Sequence, residues 1–367
     1  MKKNNYVITG GLGFIGSTIT KMLVNKKDTG KCIIVDNYTN YINPLRWTFT
    51  DYRKLRFTNI KDKKLKKNIQ TKIVFHRGDC ADFKIMYTLL EKYKPKCVFH
   101  TAAVPVAKIE NPNVSEFRKG SVDNTINILD CLDLIQKKSK YKLGRFVYIS
   151  SSMVYGDFLK KLASENDSPR PKEIYGTMKL AGEEIIKGFS RFSKIPYTII
   201  RPSAVYGPTD MNERVTQFLL IKAINDGLLE IHGKDEKLDF TYVEDLAEGT
   251  IKAAFDKKGE NETFNITTGS GRTILSYAKI LKKYFKKVKF KIVSRDKTRP
   301  KRGTLSIKKA KKLLNYKPKF NLEKGTYNYV EFVKGLKNIN FEGAARFPVK
   351  KKRLKPSEKF SFFLPKN

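Results

Sequence analysis

Short apolar runs separated by amphipathic stretches organise the first two-thirds of the chain. The runs at Tyr6–Thr9, Cys32–Val35, Lys72–His76, Cys97–His100, Arg145–Ser150 and Tyr197–Arg201 are β-rich. Helical patterns, with apolar residues returning every three to four positions, lie between most of them. Strands alternating with such helices predict a parallel sheet covered on both faces. Right-handed crossovers between successive strands then make a doubly wound α/β arrangement the expected topology.

After Arg201 the rhythm becomes irregular, with a turn-rich stretch at Pro208-Thr209-Asp210 and a helical pattern around Val215–Asn225. The expectation is a Rossmann-type doubly wound sheet over 1–200, with 239–262 returning to it. A smaller α/β substrate-binding domain would be built from 201–238 and 263–337. Substrate would occupy the cleft between the two. The connection from Tyr38 to Gln70 is unusually long, and its Lys61–Lys67 charge run reads as an exposed helix face. From Asn338 the chain turns basic and poor in aliphatic residues, so 338–367 is expected to be a loosely docked tail.

The first run leads into glycines. In YVITGGLGFIG a strand is followed by Gly10, Gly13 and Gly16, and a helical pattern begins near Ser17. Glycine suits such a turn because the backbone needs unusual dihedrals, and because a side chain would block a pyrophosphate from the helix N-terminus. A glycine trio alone is a weak signal, but Asp36 ends the next strand twenty residues after Gly16. A carboxylate there accepts hydrogen bonds from the adenine-ribose hydroxyls and repels a 2′-phosphate, so the cofactor predicted is NAD. Asp79, after the strand KIVFHRG, is placed to meet the adenine amino group.

Composition changes this picture little. Hydrophobic residues make up 40% of the 367 residues and aromatic residues 12%, which is ordinary for an ordered protein. Charge is the exception, with 75 Lys+Arg against 36 Asp+Glu and a formal net charge of +39. A basic surface attracts polyanions. The lysines are nevertheless spread along the chain rather than gathered in one arm, and no nucleic-acid motif accompanies them, so solvated faces are the simpler reading. A polyanion-binding protein with a vestigial site is the alternative from another class. Cys32, Cys80, Cys97 and Cys131 stand far apart, which speaks against structural zinc or a disulfide framework, and no metal site is expected. No signal peptide opens the chain and no apolar stretch approaches the roughly 18 residues of a membrane span, so a cytoplasmic protein is expected.

A second candidate site lies further on. The strand RFVYIS runs into Ser150-Ser151-Ser152, and EIYGTMKLAGEE supplies Tyr175 and Lys179. A separation of four places the last two on one helix face, one turn apart. A free phenol, with a pKa near 10, is a poor base at neutral pH. A neighbouring ammonium would favour the phenolate, and Ser151 would orient a substrate hydroxyl by hydrogen bonding. Tyr and Lys four apart occur by chance on many helices; the weight comes from the serine strand and the NAD site around them. His76, His100 and His232 read as core or loop residues.

Taken together, TGGLGFIG, HTAA at His100–Ala103, SSSMVYG, YGTMK, RPSAVYGP and DFTYVED resemble the extended short-chain dehydrogenase/reductase family, specifically its NAD-dependent nucleotide-sugar epimerases and dehydratases. The likeness runs from about Tyr6 to Phe332. It implies that Phe14 and Ile15 lie against the pyrophosphate and that Asp36 and Asn37 meet the adenosine ribose. Asp79 and Cys80 would sit beside adenine. Thr101, Ala102 and Ala103 would line the nicotinamide ribose, and Pro202 and Ser203 would complete the cofactor site. Ser151, Tyr175 and Lys179 match the catalytic trio, with Tyr175 and Lys179 also touching the cofactor. Arg214 in NERVTQF and Arg299 in TRPKRG resemble nucleotide-phosphate contacts, and Ser151 and Ser152 would face the sugar. The family usually forms homodimers through helices that include the YxxxK helix.

The residues after Ser151 separate the reactions. Sugar 4,6-dehydratases resemble one another in an Asp-Glu pair there, where this chain has Ser152 and Met153. Methionine cannot transfer a proton, so C4 epimerisation of a nucleotide-diphosphate sugar is the expectation. A 4-keto reductase or a 4,6-dehydratase of the same family is the alternative. Ser121, Ala204 and Leu238 stand where the family commonly has Asn, Asn and Arg, which leaves the sugar and the nucleotide open, with UDP the family default.

Overall fold

A computed structural model describes residues 3–38, 56–57, 62–104, 114–210, 214–225, 227–297 and 299–335. Seven strands form one sheet: β1 (Asn4–Thr9), β2 (Thr29–Asp36), β3 (Ile73–Arg77), β4 (Cys97–His100), β5 (Arg145–Ile149), β6 (Tyr197–Arg201) and β7 (Glu262–Asn265). Their spatial order is β3-β2-β1-β4-β5-β6-β7, and every neighbouring pair is parallel. The order reverses direction at β1, so the connections leaving β1 and β4 part and leave a crevice at the carboxyl ends of those strands.

Alternation within each strand shows why both faces need covering. Tyr6 and Ile8 of β1 and Phe99 of β4 enter one core, together with Ile19 and Leu23 of α1 (Phe14–Val24). Val7, Val98, Phe146 and Tyr148 enter the opposite core. They meet Leu90 of the helix Phe83–Tyr93, Leu132 of the helix Asn124–Lys138 and Ile186 of the long helix Ile174–Ser193, here α2. A further core joins Leu219, Leu229, Ile231, Phe240, Tyr277, Leu281 and Val330, all from segments beyond β6. Its pieces include the parallel strand pair Leu228–His232 and Lys289–Val293.

The run expected from Lys72 begins as a strand one residue later. Lys72 instead closes the helix Lys63–Lys72, which Asp62 caps by accepting from Lys64 and Leu65 N–H. That helix buries no residue, as a lysine-rich face requires. Lys61 and the basic segment 338–367 lie outside the described residues.

Candidate active site

The glycine turn is shaped by contacts that exclude any side chain. Gly10 has φ +65°, and a Cβ there would lie 2.8 Å from Ala102 Cα. At Gly16 a Cβ would lie 2.5 Å from Gly10 O and 2.7 Å from Thr101 Oγ1. Strand β4 is thereby packed directly on the turn, with Thr101 Oγ1 donating to Thr9 O at 2.7 Å. Gly13 precedes α1 without a side-chain cap, and the first turn carries no acid. Phe14 is buried and Ile15 half-buried there. The N–H end of α1 is thus left without a side-chain cap or a competing acid, which fits a pyrophosphate.

Asp36 closes the other side. Its Oδ2 accepts from Leu12 N at 3.0 Å and its Oδ1 from Tyr38 N at 2.9 Å, so the carboxylate is held over the glycine turn. Asn37 Nδ2 donates to Asp79 Oδ2 at 3.2 Å, and Asp79 Oδ1 accepts from Ala81 N at 2.9 Å. Cys80 is buried, its carbonyl accepting from Asn127 at 2.7 Å. Asp36, Asn37, Asp79 and Cys80 are therefore one linked group at the ends of β2 and β3.

Ser151 leaves β5 and caps the short turn Ser152–Tyr155, accepting from Met153 N at 3.2 Å. Ser152 and Met153 are buried, and Ser152 N donates to Pro202 O at 2.8 Å. Tyr175 and Lys179 lie on α2 and face these residues. Burial pushes the Tyr175 phenol up, while Arg214 and a hydrogen bond with Ser151 pull it back. Lys179 is 2% exposed; its Nζ donates to Ile149 O at 2.7 Å and stands 4.8 Å from the centre of the Tyr148 ring. Burial lowers it to about 7, opposed by Glu183. The cation that most affects the phenol is thus Arg214, whereas the sequence pointed to Lys179.

Ser203 is buried and its hydroxyl has no partner among the described residues; the Ser121 hydroxyl, in the π-helical turn Lys119–Asp123, is likewise orphaned. Buried hydroxyls without partners suit a bound group. Next to Ser203, Ala204 holds φ +39°, a left-handed conformation that Asn adopts more readily than Ala. Arg214 and Arg299 part company: Arg214 is half-buried near Tyr175, but Arg299 is exposed, with its Nε on Asp296 at 3.1 Å.

Three residues escaped the sequence reading. Arg302 is half-buried, is lowered to about 10 by burial and by Arg299 and Arg214, and makes no hydrogen bond or ion pair among the described residues. Glu173 is buried just before α2, makes no side-chain cap to it, and leaves Oε2 without a hydrogen bond among the described residues; its charged neighbours are Arg302, Arg299 and Asp296. Arg56, from the long connection after β2, donates to Leu12 O and, at 2.7 Å, to Thr209 O, tying the glycine turn to the segment after β6. His100 is a core histidine, bonded to Thr9 and Thr125 and lowered to about 3 by burial. No group of acids, histidines or cysteines among the described residues could hold a metal ion.

Known proteins bear on this geometry. The model of the NAD dependent epimerase/dehydratase family matches residues 6–267. A putative UDP-glucose 4-epimerase of Methanocaldococcus jannaschii is 30% identical over 350 residues, covering 89% of this chain and 98% of that protein. A dTDP-D-glucose 4,6-dehydratase of Dictyostelium discoideum is 27% identical over 74% of this chain and 60% of its own length. Among solved structures, a UDP-glucuronic acid 4-epimerase from Bacillus cereus, in complex with UDP-glucuronic acid and NAD, matches with a TM-score of 0.76 at 26% identity, over 90% of this chain and 99% of that one. With the family model spanning its glycine turn, its serine strand and its tyrosine–lysine helix, the chain belongs to the NAD-dependent epimerase/dehydratase family.

Proposed function

We propose that the protein interconverts C4 epimers of a UDP-sugar through a transient 4-keto sugar. The observation that carries this reading is the pair Ser152 and Met153, buried directly after Ser151, where expelling a C6 hydroxyl would call for an acid and a base. Glu173 does not replace them, because its charged neighbours are Arg302, Arg299 and Asp296 rather than Tyr175.

NAD, when bound, supplies the acceptor for the hydrogen and electron pair that leave C4 and returns them later. The chain's residues manage the proton and the geometry. Tyr175, as phenolate, takes the C4 hydroxyl proton while Ser151 holds that oxygen in line, and the same phenol returns the proton after the keto sugar has turned over. Lys179, as an ammonium, would bind the ribose hydroxyls of the cofactor and add to the effect of Arg214 on the phenolate. Gly10, Gly13, Phe14, Ile15, Gly16, Asp36, Asn37, Asp79, Cys80, Thr101, Ala102, Ala103, Pro202 and Ser203 form the cofactor bed. Arg214 and Arg302, two half-buried guanidiniums that make no ion pair among the described residues, are suited to the diphosphate, with the exposed Arg299 beside them. Like the family in general, the chain is expected to work as a homodimer in the cytoplasm.

Incubation with UDP-, GDP- and CDP-sugars without added cofactor, followed by NMR, tests the reading. A 4-epimerase gives the same mixture of two isomers from either side. A 4-keto-6-deoxy product would make the protein a dehydratase, and turnover only with a keto sugar and added NADH would make it a reductase.

A further inference from the structure

Tyr175, Lys179 and Glu183 follow one another at intervals of one turn along α2. All three face the end of β5 or the residues just beyond it. Lys179 Nζ donates to Ile149 O at 2.7 Å and Ser150 Oγ donates to Glu183 Oε1 at 2.5 Å, while the Tyr175 phenol is influenced by the Ser151 hydroxyl. Two consecutive residues, 149 and 150, are thus held by two side chains of the helix that carries Tyr175 opposite the third.

Glu183 is itself anchored. It is 0% exposed and pairs with Arg201 at the end of β6, whose Nε donates to Oε1 at 2.9 Å and whose Nη2 donates to Oε2 at 2.6 Å. Arg201 Nη1 donates to the Tyr155 hydroxyl at 3.0 Å, and that hydroxyl donates to Asn265 Oδ1 at 2.8 Å. The chain of bonds runs from α2 through the ends of β6 and β7 to the turn that follows Ser151. Apolar residues of similar volume would fill the same space with no desolvation penalty. What a guanidinium fork adds is direction, because it leaves Oε1 aimed at Ser150.

We propose that Glu183 is a positioning residue: anchored by Arg201, it holds Ser150 and so fixes the strand end that presents Ser151 to Tyr175 and receives Lys179. This rests on Ser151, Tyr175 and Lys179 being the catalytic trio. The carboxylate also favours the ammonium form of Lys179. The other groups facing that lysine are the Tyr148 ring of β5 and His100 of β4, which burial keeps uncharged. Arg201 of β6 and the Tyr148 hydroxyl face Glu183. Without the carboxylate, burial acts on Lys179 unopposed and its proton leaves at lower pH.

The test uses the full chain loaded with NAD and ¹³C-labelled at the lysine ε-carbon, with the Lys179 signal assigned by its absence in Lys179→Met. In the wild type this signal is expected to titrate below those of the exposed lysines, because the ammonium is buried. In Glu183→Gln it moves lower still, by about one pH unit. Ser150→Ala removes the hydrogen bond and no charge; it leaves the Lys179 titration and NAD content unchanged and lowers kcat on the order of threefold to tenfold without raising KM. A folded Glu183→Gln whose Lys179 titrates as in the wild type overturns the proposal. So does a Ser150→Ala enzyme with wild-type kcat, which decides the matter should Glu183→Gln fail to fold. A wild type inert on every nucleotide sugar would instead sink the epimerase reading, and the lysine titration would still judge Glu183.

Discussion

Tyr175 combines a half-buried phenol with a serine hydroxyl and a guanidinium that both act on it. Phenylalanine at this position keeps the ring and its packing and deletes only the oxygen proposed to move the proton. Tyr175→Phe is therefore expected to bind NAD as the wild type does, with unchanged circular dichroism, while kcat falls on the order of a hundredfold or more. Near-wild-type turnover would remove Tyr175 from the chemistry. At this scale the tight glycine turn and the placing of Tyr175 and Lys179 on one helix were legible in the sequence because their requirements are local: no side chain fits at Gly10 or Gly16, and a spacing of four fixes the other two one turn apart. Arg302, Glu173 and Arg56 were not legible. Their neighbours come from distant parts of the chain, Arg56 reaching a residue 153 positions away, and neither periodicity nor a short motif reports such a meeting.

Among the elements, α2 and β5 carry the site between them, and their close approach depends on a residue without a side chain. At Gly182 of α2 a Cβ would overlap the Tyr148 hydroxyl and lie 2.8 Å from Tyr148 Cζ on β5. Alanine would ordinarily favour a helix by up to about 1 kcal/mol over glycine. Here the overlap forces the helix off the strand, so Gly182→Ala is expected to destabilise the protein by about 1–3 kcal/mol and to lower turnover by moving Tyr175 away from Ser151. Urea unfolding and kcat measured on the same preparation check both; a more stable variant would show that the two elements can separate freely. Six strands of the sheet stood out as apolar runs, each within three residues of its observed limits. The seventh, β7, did not. Its four residues, ETFN, leave Glu262 and Thr263 half-buried at the sheet edge, and its identity as a strand comes from pairing with β6 rather than from its own composition.

Across the whole molecule, the site unites the crevice at the carboxyl ends of the parallel strands with arginines from segments beyond β6. The net charge of +39 is carried largely by lysines on solvated faces, as on the helix Lys63–Lys72, and the exposed ion pairs among them contribute little each. On the proposed reading, the architecture keeps one sugar, one tyrosine and one cofactor together through two opposite hydrogen transfers at C4. A UDP-sugar substrate deuterated at C4, incubated in ordinary water without added cofactor, reads that claim directly by NMR and mass spectrometry. The account predicts a C4 epimer that keeps its deuterium at C4, with none exchanged into solvent. An epimer that has lost the deuterium to water, or a 4-keto-6-deoxy product carrying it at C6, would contradict it.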